Sequence, residues 1–154
     1  MQSDRRNFIR VIVTAGTGLV GGRLLTACGA DSGGGGQPEA QGALDGGSVS
    51  DLQPGTPRTL AEPVVVVRDD GGVYAMTTIC THAQCDISHS GSISAAGLSC
   101  ACHGSTFDLE GNVTHGPANR PLAHFAVAVG TDGQLTVQAD EIVPPEVRAD
   151  VPAT

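Results

Sequence analysis

The chain has no tryptophan, no lysine, one tyrosine and three phenylalanines among its 154 residues. So few large side chains cannot build a large hydrophobic core in a domain of this size, and we expect interactions other than side-chain packing to help stabilise the fold. Eight arginines face sixteen acidic residues, and the net charge of −8 excludes nucleic acid and anionic membrane surfaces as natural partners of the folded part. The length suits one small domain with unstructured segments and excludes a multidomain enzyme.

The N-terminus carries the pattern of an export signal. Adjacent arginines at Arg5 and Arg6 precede an apolar run from Val11 to Leu25, which Arg23 interrupts, and this pattern resembles a bacterial twin-arginine signal. The uncharged stretch between Arg10 and Arg23 is well short of the roughly 20 residues that an apolar helix needs to cross a bilayer. A signal that is removed after export fits this pattern better than a permanent membrane span.

The apolar run ends in a motif that resembles a lipobox. In the sequence Leu-Thr-Ala-Cys, a signal peptidase would cut before Cys28, and the Cys28 sulfur would carry a lipid. Residues 1–27 are then a signal segment, and the domain is tethered by lipid in the periplasm or on the outer face of the membrane. The alternative is an uncleaved N-terminal helix in which Cys28 is a buried thiol. Both interpretations place the domain outside the cytoplasm.

Two segments lack any periodic apolar pattern. Residues 28–56 are rich in Gly, Ser, Gln, Pro and Asp and include four consecutive glycines, so we predict a flexible tether. Residues 141–154 combine prolines with acidic residues, so we predict an extended or disordered tail. The folded domain is thereby expected to span residues 57–140.

The apolar pattern of residues 57–140 predicts an all-β domain. Val64–Val67 and Val73–Met76 flank an Asp-Asp-Gly-Gly turn, which is the pattern of a hairpin. A second hairpin is predicted where residues 125–129 alternate in hydrophobicity, a Gly-Thr-Asp-Gly turn follows, and residues 135–137 return.

Two short boxes concentrate the chemistry of the domain. Residues 80–85 read Cys-Thr-His-Ala-Gln-Cys, and residues 100–105 read Cys-Ala-Cys-His-Gly-Ser. The C-x-H of the first box and the C-x-x-H of the second are the ligand pattern of the Rieske [2Fe–2S] proteins, which the chain resembles over roughly its last hundred residues. The resemblance implies an antiparallel β sandwich with two cluster-binding loops at one end, preceded by the signal segment and the linker.

The resemblance also implies roles for the residues of the boxes. Cys80 and Cys100 would bind one iron of the cluster as thiolates, and His82 and His103 would bind the other iron through ring nitrogens. Neutral imidazoles leave less negative charge on the cluster and move its potential from about −400 mV to a range of about −150 to +300 mV. Ser105 matches a family serine whose hydroxyl donates a hydrogen bond to sulfur. The other histidines are expected at solvated positions without a role: His89, His115 and His124.

Two further features follow from the same resemblance. Cys85 and Cys102 stand where respiratory and photosynthetic members form a disulfide between the loops. Such a link stabilises the fold by about 3 kcal/mol. Rieske ferredoxins of ring-hydroxylating dioxygenases lack this pair of cysteines. Phe107 stands where high-potential members have a tyrosine whose hydroxyl bonds a ligand sulfur. We therefore predict a lower midpoint potential than in ubiquinol-oxidising relatives.

The function implied by the resemblance is one-electron transfer by a subunit that is not catalytic alone. The first expectation is a quinol–cytochrome c oxidoreductase, with a quinol-oxidising membrane subunit or a c-type cytochrome as partner; the acidic charge favours partners with basic docking faces. A second is the Rieske small subunit of a periplasmic molybdenum oxidoreductase of the arsenite-oxidase type, whose partner is a molybdenum catalytic subunit. A third is a zinc- or disulfide-stabilised binding lipoprotein without a redox role.

Overall fold

A computed structural model describes residues 42–61 and 63–152 of the chain. The predicted signal and lipidation site, residues 1–28, lie outside these described residues. Two antiparallel sheets account for most of the described structure, together with a 3-10 turn at Val49–Asp51 and one short helix, α1, at Ile87–Ser90. The strands are β1 (Ala43–Ser48), β2 (Arg58–Thr59), β3 (Val64–Asp69), β4 (Gly72–Thr77), β5 (Gly91–Ser94), β6 (Gly97–Cys100), β7 (Thr106–Phe107), β8 (Val113–His115), β9 (His124–Val129) and β10 (Gln134–Val143).

The larger sheet has six strands in the order β1-β10-β9-β4-β3-β2. Both predicted hairpins are confirmed, because β3 pairs with β4 and β9 pairs with β10. The valines of β3 are buried on both faces of this sheet: Val65 and Val67 enter one core cluster, and Val64 and Val66 enter the other. Successive side chains of a strand point to opposite faces, so one run of valines serves two cores.

The smaller sheet has four short strands in the order β5-β6-β7-β8. Leu98 of β6 and Phe107 of β7 are buried and pack in the same cluster as Val65, Tyr74 and Met76 of the larger sheet. The prediction of an all-β fold is therefore confirmed. Within the described residues, no helix is long and apolar enough to cross a membrane.

The predicted tether, residues 28–56, is wrong for its second half. Residues 43–48 form β1, which pairs with β10 from Ala43 opposite Gln138 to Ser48 opposite Gln134. Val49 and Leu52 are buried in the second core cluster. Glycine and serine obscure any apolar alternation here, and the main-chain hydrogen bonds to β10, together with the burial of Val49 and Leu52, order the segment despite its low strand propensity.

The predicted tail, residues 141–154, is ordered over much of its length. β10 continues to Val143, and the chain then returns along the larger sheet, where Ala149 forms a bridge with Val73. The Arg148 guanidinium lies 3.9 Å from the centre of the Tyr74 ring, and its Nε donates to an Asp69 carboxylate oxygen at 2.8 Å. One partly buried arginine with an aromatic and a carboxylate partner thus attaches a segment whose composition alone indicates disorder.

Candidate iron–sulfur site

The two Cys/His boxes lie on neighbouring loops. The first loop follows β4, and the second connects β6 to β7. The structure confirms the disulfide between Cys85 and Cys102, whose Cα atoms are 6.7 Å apart. The rings of His82 and His103 are also adjacent, with centroids 4.7 Å apart and planes at 80°. The fold therefore brings one Cys–His pair from each loop to the same end of the molecule.

The two loops close by the same backbone pattern. In the first, the Cys80 N–H donates to the Cys85 carbonyl and the Gln84 N–H donates to the Cys80 carbonyl, at 2.8 and 3.0 Å. In the second, the Cys100 N–H donates to the Ser105 carbonyl at 2.8 Å, and the Gly104 N–H donates to the Cys100 carbonyl at 3.0 Å. This closure requires a positive φ at the fifth position, which is 81° at Gly104 and 60° at Gln84. Among the described residues, Gln84 is the only one other than glycine with a positive φ.

The donor atoms at this end differ in exposure. Cys80 and Cys100 are free thiols that are 1% and 2% exposed, whereas His82 and His103 are exposed. Burial raises the pKa of the Cys100 thiol, although a hydrogen bond from the Cys102 backbone partly offsets the effect. Cysteine binds metal as the thiolate, so these two buried sulfurs suit a bound cation.

The sulfurs of the Cys85–Cys102 disulfide lie beside the Cys100 thiol. The Sγ atoms of Cys85, Cys100 and Cys102 lie within 4.8 Å of one another. Cys85 and Cys102 are bonded to each other, and because the thiolate is the metal-binding form of cysteine, the disulfide sulfurs are not available as ligands. The thiols available at this end are therefore those of Cys80 and Cys100.

The Ser105 hydroxyl is fully buried beside the second loop. Its oxygen accepts a hydrogen bond from the Ala118 N–H at 2.9 Å, and among the described residues its proton has no protein acceptor. The resemblance to the Rieske proteins assigns that proton to a sulfur of the cluster. Two soft thiolates, two imidazoles and a buried donor therefore make a set that fits a [2Fe–2S] cluster with mixed ligands.

A third loop, residues 116–121, borders the same site. Ala118 in this loop bonds Ser105, as described, and the Thr81 hydroxyl of the first loop donates to the Arg120 carbonyl at 2.6 Å. The third loop is thus attached to both cysteine loops.

His124, expected at a solvated position, is instead 2% exposed and stacks on Tyr74 with ring centroids 5.5 Å apart. Its Nε2 donates to the Glu110 carbonyl at 3.0 Å, while its Nδ1 is buried without a partner among the described residues, and burial lowers the pKa of this imidazole. The alternation of side chains along a strand could have predicted this burial. Because His124 precedes Phe125 in β9, its side chain points to the opposite face of the sheet, toward the core cluster that contains Tyr74.

Comparison with known proteins agrees with the geometry. The Rieske [2Fe-2S] domain family matches residues 44–126, more than half of the chain. A "Cytochrome b6-f complex iron-sulfur subunit" of a Cyanothece strain is 35% identical over 117 residues, which cover 62% of this chain and 64% of that subunit. The subunit of the same description from Chlorobaculum tepidum is 31% identical over 94 residues, which cover 59% of this chain and 50% of that subunit. The chain therefore spans 50% to 64% of the length of these two relatives.

A solved structure shares the fold. A chain in the complex of reduced oxygenase and oxidized ferredoxin in carbazole 1,9a-dioxygenase is 29% identical, with a TM-score of 0.50, and the match covers 68% of this chain and 99% of that chain. The matched family, these relatives and the donor set agree that the cofactor is a Rieske [2Fe–2S] cluster. The chain belongs to the Rieske [2Fe–2S] domain family.

Proposed function

We propose that the chain is a one-electron carrier outside the cytoplasm and a subunit of a quinol-oxidising complex of the cytochrome bc or b6-f type. One observation carries this proposal: two buried free thiols and two exposed imidazoles lie on two neighbouring loops that one disulfide joins. The two relatives named as cytochrome b6-f iron-sulfur subunits support the class of partner.

The ligand roles follow from the exposure of the four side chains. Cys80 and Cys100 would hold one iron through thiolates, and His82 and His103 would hold the other through ring nitrogens. When bound, the cluster supplies reversible one-electron exchange at a potential that the imidazoles raise. The buried cysteines keep the sulfur side of the site away from water, while the exposed histidines bring its other side to the protein surface.

The exposed histidines also offer a route for proton exchange with solvent. An imidazole that binds metal through one nitrogen keeps the other for an N–H group. Because His82 and His103 are exposed, water or a quinol oxygen reaches that N–H. With the cluster bound, this N–H would be the group that releases a proton to solvent on oxidation and takes it up on reduction, which would lower the midpoint potential at alkaline pH.

The N-terminal sequence supports export and attachment to the membrane. Residues 1–27 act as the twin-arginine signal in this proposal, and Cys28 carries the lipid after cleavage. The residues between Cys28 and β1 then connect the lipid to the domain. Mass spectrometry of the mature chain tests both points, because acylated Cys28 would be its first residue.

The test of the central proposal is a potentiometric titration of the full chain across pH, followed by electron paramagnetic resonance. We expect a rhombic reduced-state signal with the average g of mixed Cys/His ligation. A midpoint well above zero supports quinol oxidation, while a midpoint near or below zero favours a lower-potential chain or the molybdenum class.

Variants in the same experiment test the ligand assignment. Cys100→Ser and His103→Ala are expected to abolish the signal. His115→Ala is the matched control because His115 is an exposed histidine at the end of β8 and has no proposed contact with iron. A colourless protein that contains zinc, or a normal signal from His103→Ala, would overturn the assignment.

A further inference from the structure

The three loops around the proposed cluster carry a single fully charged side chain. Residues 80–85 and 100–105 contain no Asp, Glu, Lys or Arg, and residues 116–121 contain only Arg120. Arg120 is exposed, and among residues 42–61 and 63–152 its guanidinium makes no hydrogen bond or salt bridge. A protein with a net charge of −8 therefore presents an isolated positive charge at its redox end.

The position of Arg120 is set by contacts with the cysteine loops. Its carbonyl accepts the hydrogen bond from the Thr81 hydroxyl, one residue before His82, at 2.6 Å. Two residues earlier, the Ala118 N–H donates to the buried Ser105 hydroxyl. The backbone of Arg120 is thus held beside the two exposed histidines, while its side chain is left free of protein partners among the described residues.

The acid nearest to these loops in sequence does not cancel the charge of Arg120 at the surface. The Asp86 side chain is only 14% exposed, and its carboxylate accepts hydrogen bonds from Thr78, Ser88 and His89 at 2.6 to 2.9 Å. These bonds lower the pKa of Asp86 against the opposing effect of burial, so the carboxylate is charged, but its oxygens are occupied. Every other described acid also lies outside the three loops.

We propose that Arg120 is a docking contact and that the electron-transfer partner is a protein that presents a carboxylate to it. A basic partner would be attracted to the acidic residues, all of which lie outside the three loops and so away from the histidines. An acidic patch is repelled by those regions and attracted only at the redox end, so the charge distribution selects the productive orientation. This proposal rests on the proposed function, and it reverses the expectation of a basic partner that net charge alone suggests.

Paramagnetic complex ions of opposite charge probe this surface without a partner protein. Hexacyanochromate(III), with charge 3−, and hexaamminechromium(III), with charge 3+, each speed the spin relaxation of the reduced cluster when they approach it. The measurement is the microwave power that half-saturates the cluster signal of the full chain at low ionic strength. For the unmodified chain we expect the anion to raise this power more than the cation does, at equal concentration.

Variants separate the local charge from the total charge. Arg120→Gln is expected to reduce the effect of the anion by about threefold to fivefold, as the loss of one contact charge implies for a trivalent ion. Arg120→Lys should restore it. Arg68→Gln is the matched control: it makes the same charge change, but Arg68 pairs with Val73 at the far end of β4, about 20 Å along the strand from Cys80.

The outcomes distinguish this contact from the proposed function. A normal cluster signal on which the cation acts more strongly than the anion, or on which Arg68→Gln acts as strongly as Arg120→Gln, overturns the docking contact alone. Absence of a Rieske signal from the unmodified chain overturns the proposed function and the docking contact with it. A selective effect of Arg120→Gln, with rescue by Arg120→Lys, supports the contact.

Discussion

The six-stranded sheet buries an uninterrupted run of valines in β3, whereas the smaller sheet is built from strands of two to four residues. The larger sheet is therefore stabilised mainly by packing on both faces. The loops that carry the Cys/His boxes bury little apolar surface, and they are joined by a disulfide, by backbone closures and, as proposed, by iron. The disulfide and these hydrogen bonds thus keep the ligand residues in place while the histidines stay exposed to a partner.

Leucine-to-alanine substitutions in the two regions should give the largest effects. Leu135 is buried in the core of the larger sheet, and Leu98 is buried in β6, which leads directly into Cys100. We expect Leu135→Ala and Leu98→Ala each to lower the free energy of unfolding by about 2–5 kcal/mol. Only Leu98→Ala should also speed loss of the cluster in subdenaturing urea, followed by visible absorbance. Equal cluster loss in both variants would contradict a separation between the regions.

Removal of the disulfide should weaken the smaller sheet selectively. Cys85→Ser together with Cys102→Ser is expected to cost about 3 kcal/mol, because the link restricts the unfolded chain. Hydrogen exchange should accelerate in β5 to β8 and much less in β3 and β4. Uniform acceleration in both sheets would show that the disulfide stabilises the whole domain instead.

His124 should make stability depend on pH near neutrality. In the folded chain, burial and the positive charge of Arg148 lower the pKa of His124, while Glu110 acts in the opposite direction. In the unfolded chain the pKa returns to the ordinary 6.5. The unfolded state therefore binds the proton first, and stability falls as pH drops below 6.5. Between about pH 7.5 and about pH 5.5, the free energy of unfolding measured in urea should fall more in the unmodified chain than in His124→Gln. Equal losses would mean that other groups dominate the titration.

The backbone strain at Gln84 offers a smaller effect. Its φ of 60° favours glycine, which the second loop has at the equivalent Gly104. Gln84→Gly should raise the free energy of unfolding by about 1 kcal/mol. Gly104→Ala, which introduces no close contact, should lower it by a similar amount. A destabilised Gln84→Gly would show that the glutamine side chain makes a compensating interaction.

Phe107→Tyr should change the redox site with the least effect on stability. Phe107 is buried beside the second loop, and a hydroxyl there that donates to a ligand sulfur stabilises the more negative reduced state. We expect the midpoint potential to rise. Phe125→Tyr in the larger sheet is the control and should leave the potential unchanged. No rise in Phe107→Tyr would refute the missing donor as a cause of low potential.

The hairpins could be predicted because their signals are local, and the pairing of Cys85 with Cys102 is implied by the resemblance of the two boxes to those of the Rieske proteins. Val64–Val67 is a β-branched run within one strand, and its turn residues follow shortly after it. β1 could not be predicted in this way, since its partner β10 lies at the other end of the domain. The tail likewise depends on Arg148 meeting Tyr74 and Asp69, which are distant in sequence. Such long-range pairs leave no periodic trace in either segment.

The sequence by itself determined which chemistry this protein can perform, because metal ligation depends on the type and spacing of the donor residues in the two boxes. Only the tertiary structure decided how that chemistry meets its surroundings. It buried Cys80 and Cys100, exposed His82 and His103, and attached Arg120 beside them through Thr81. Exposure and local charge are properties of a surface, and a surface exists only after distant segments have packed together.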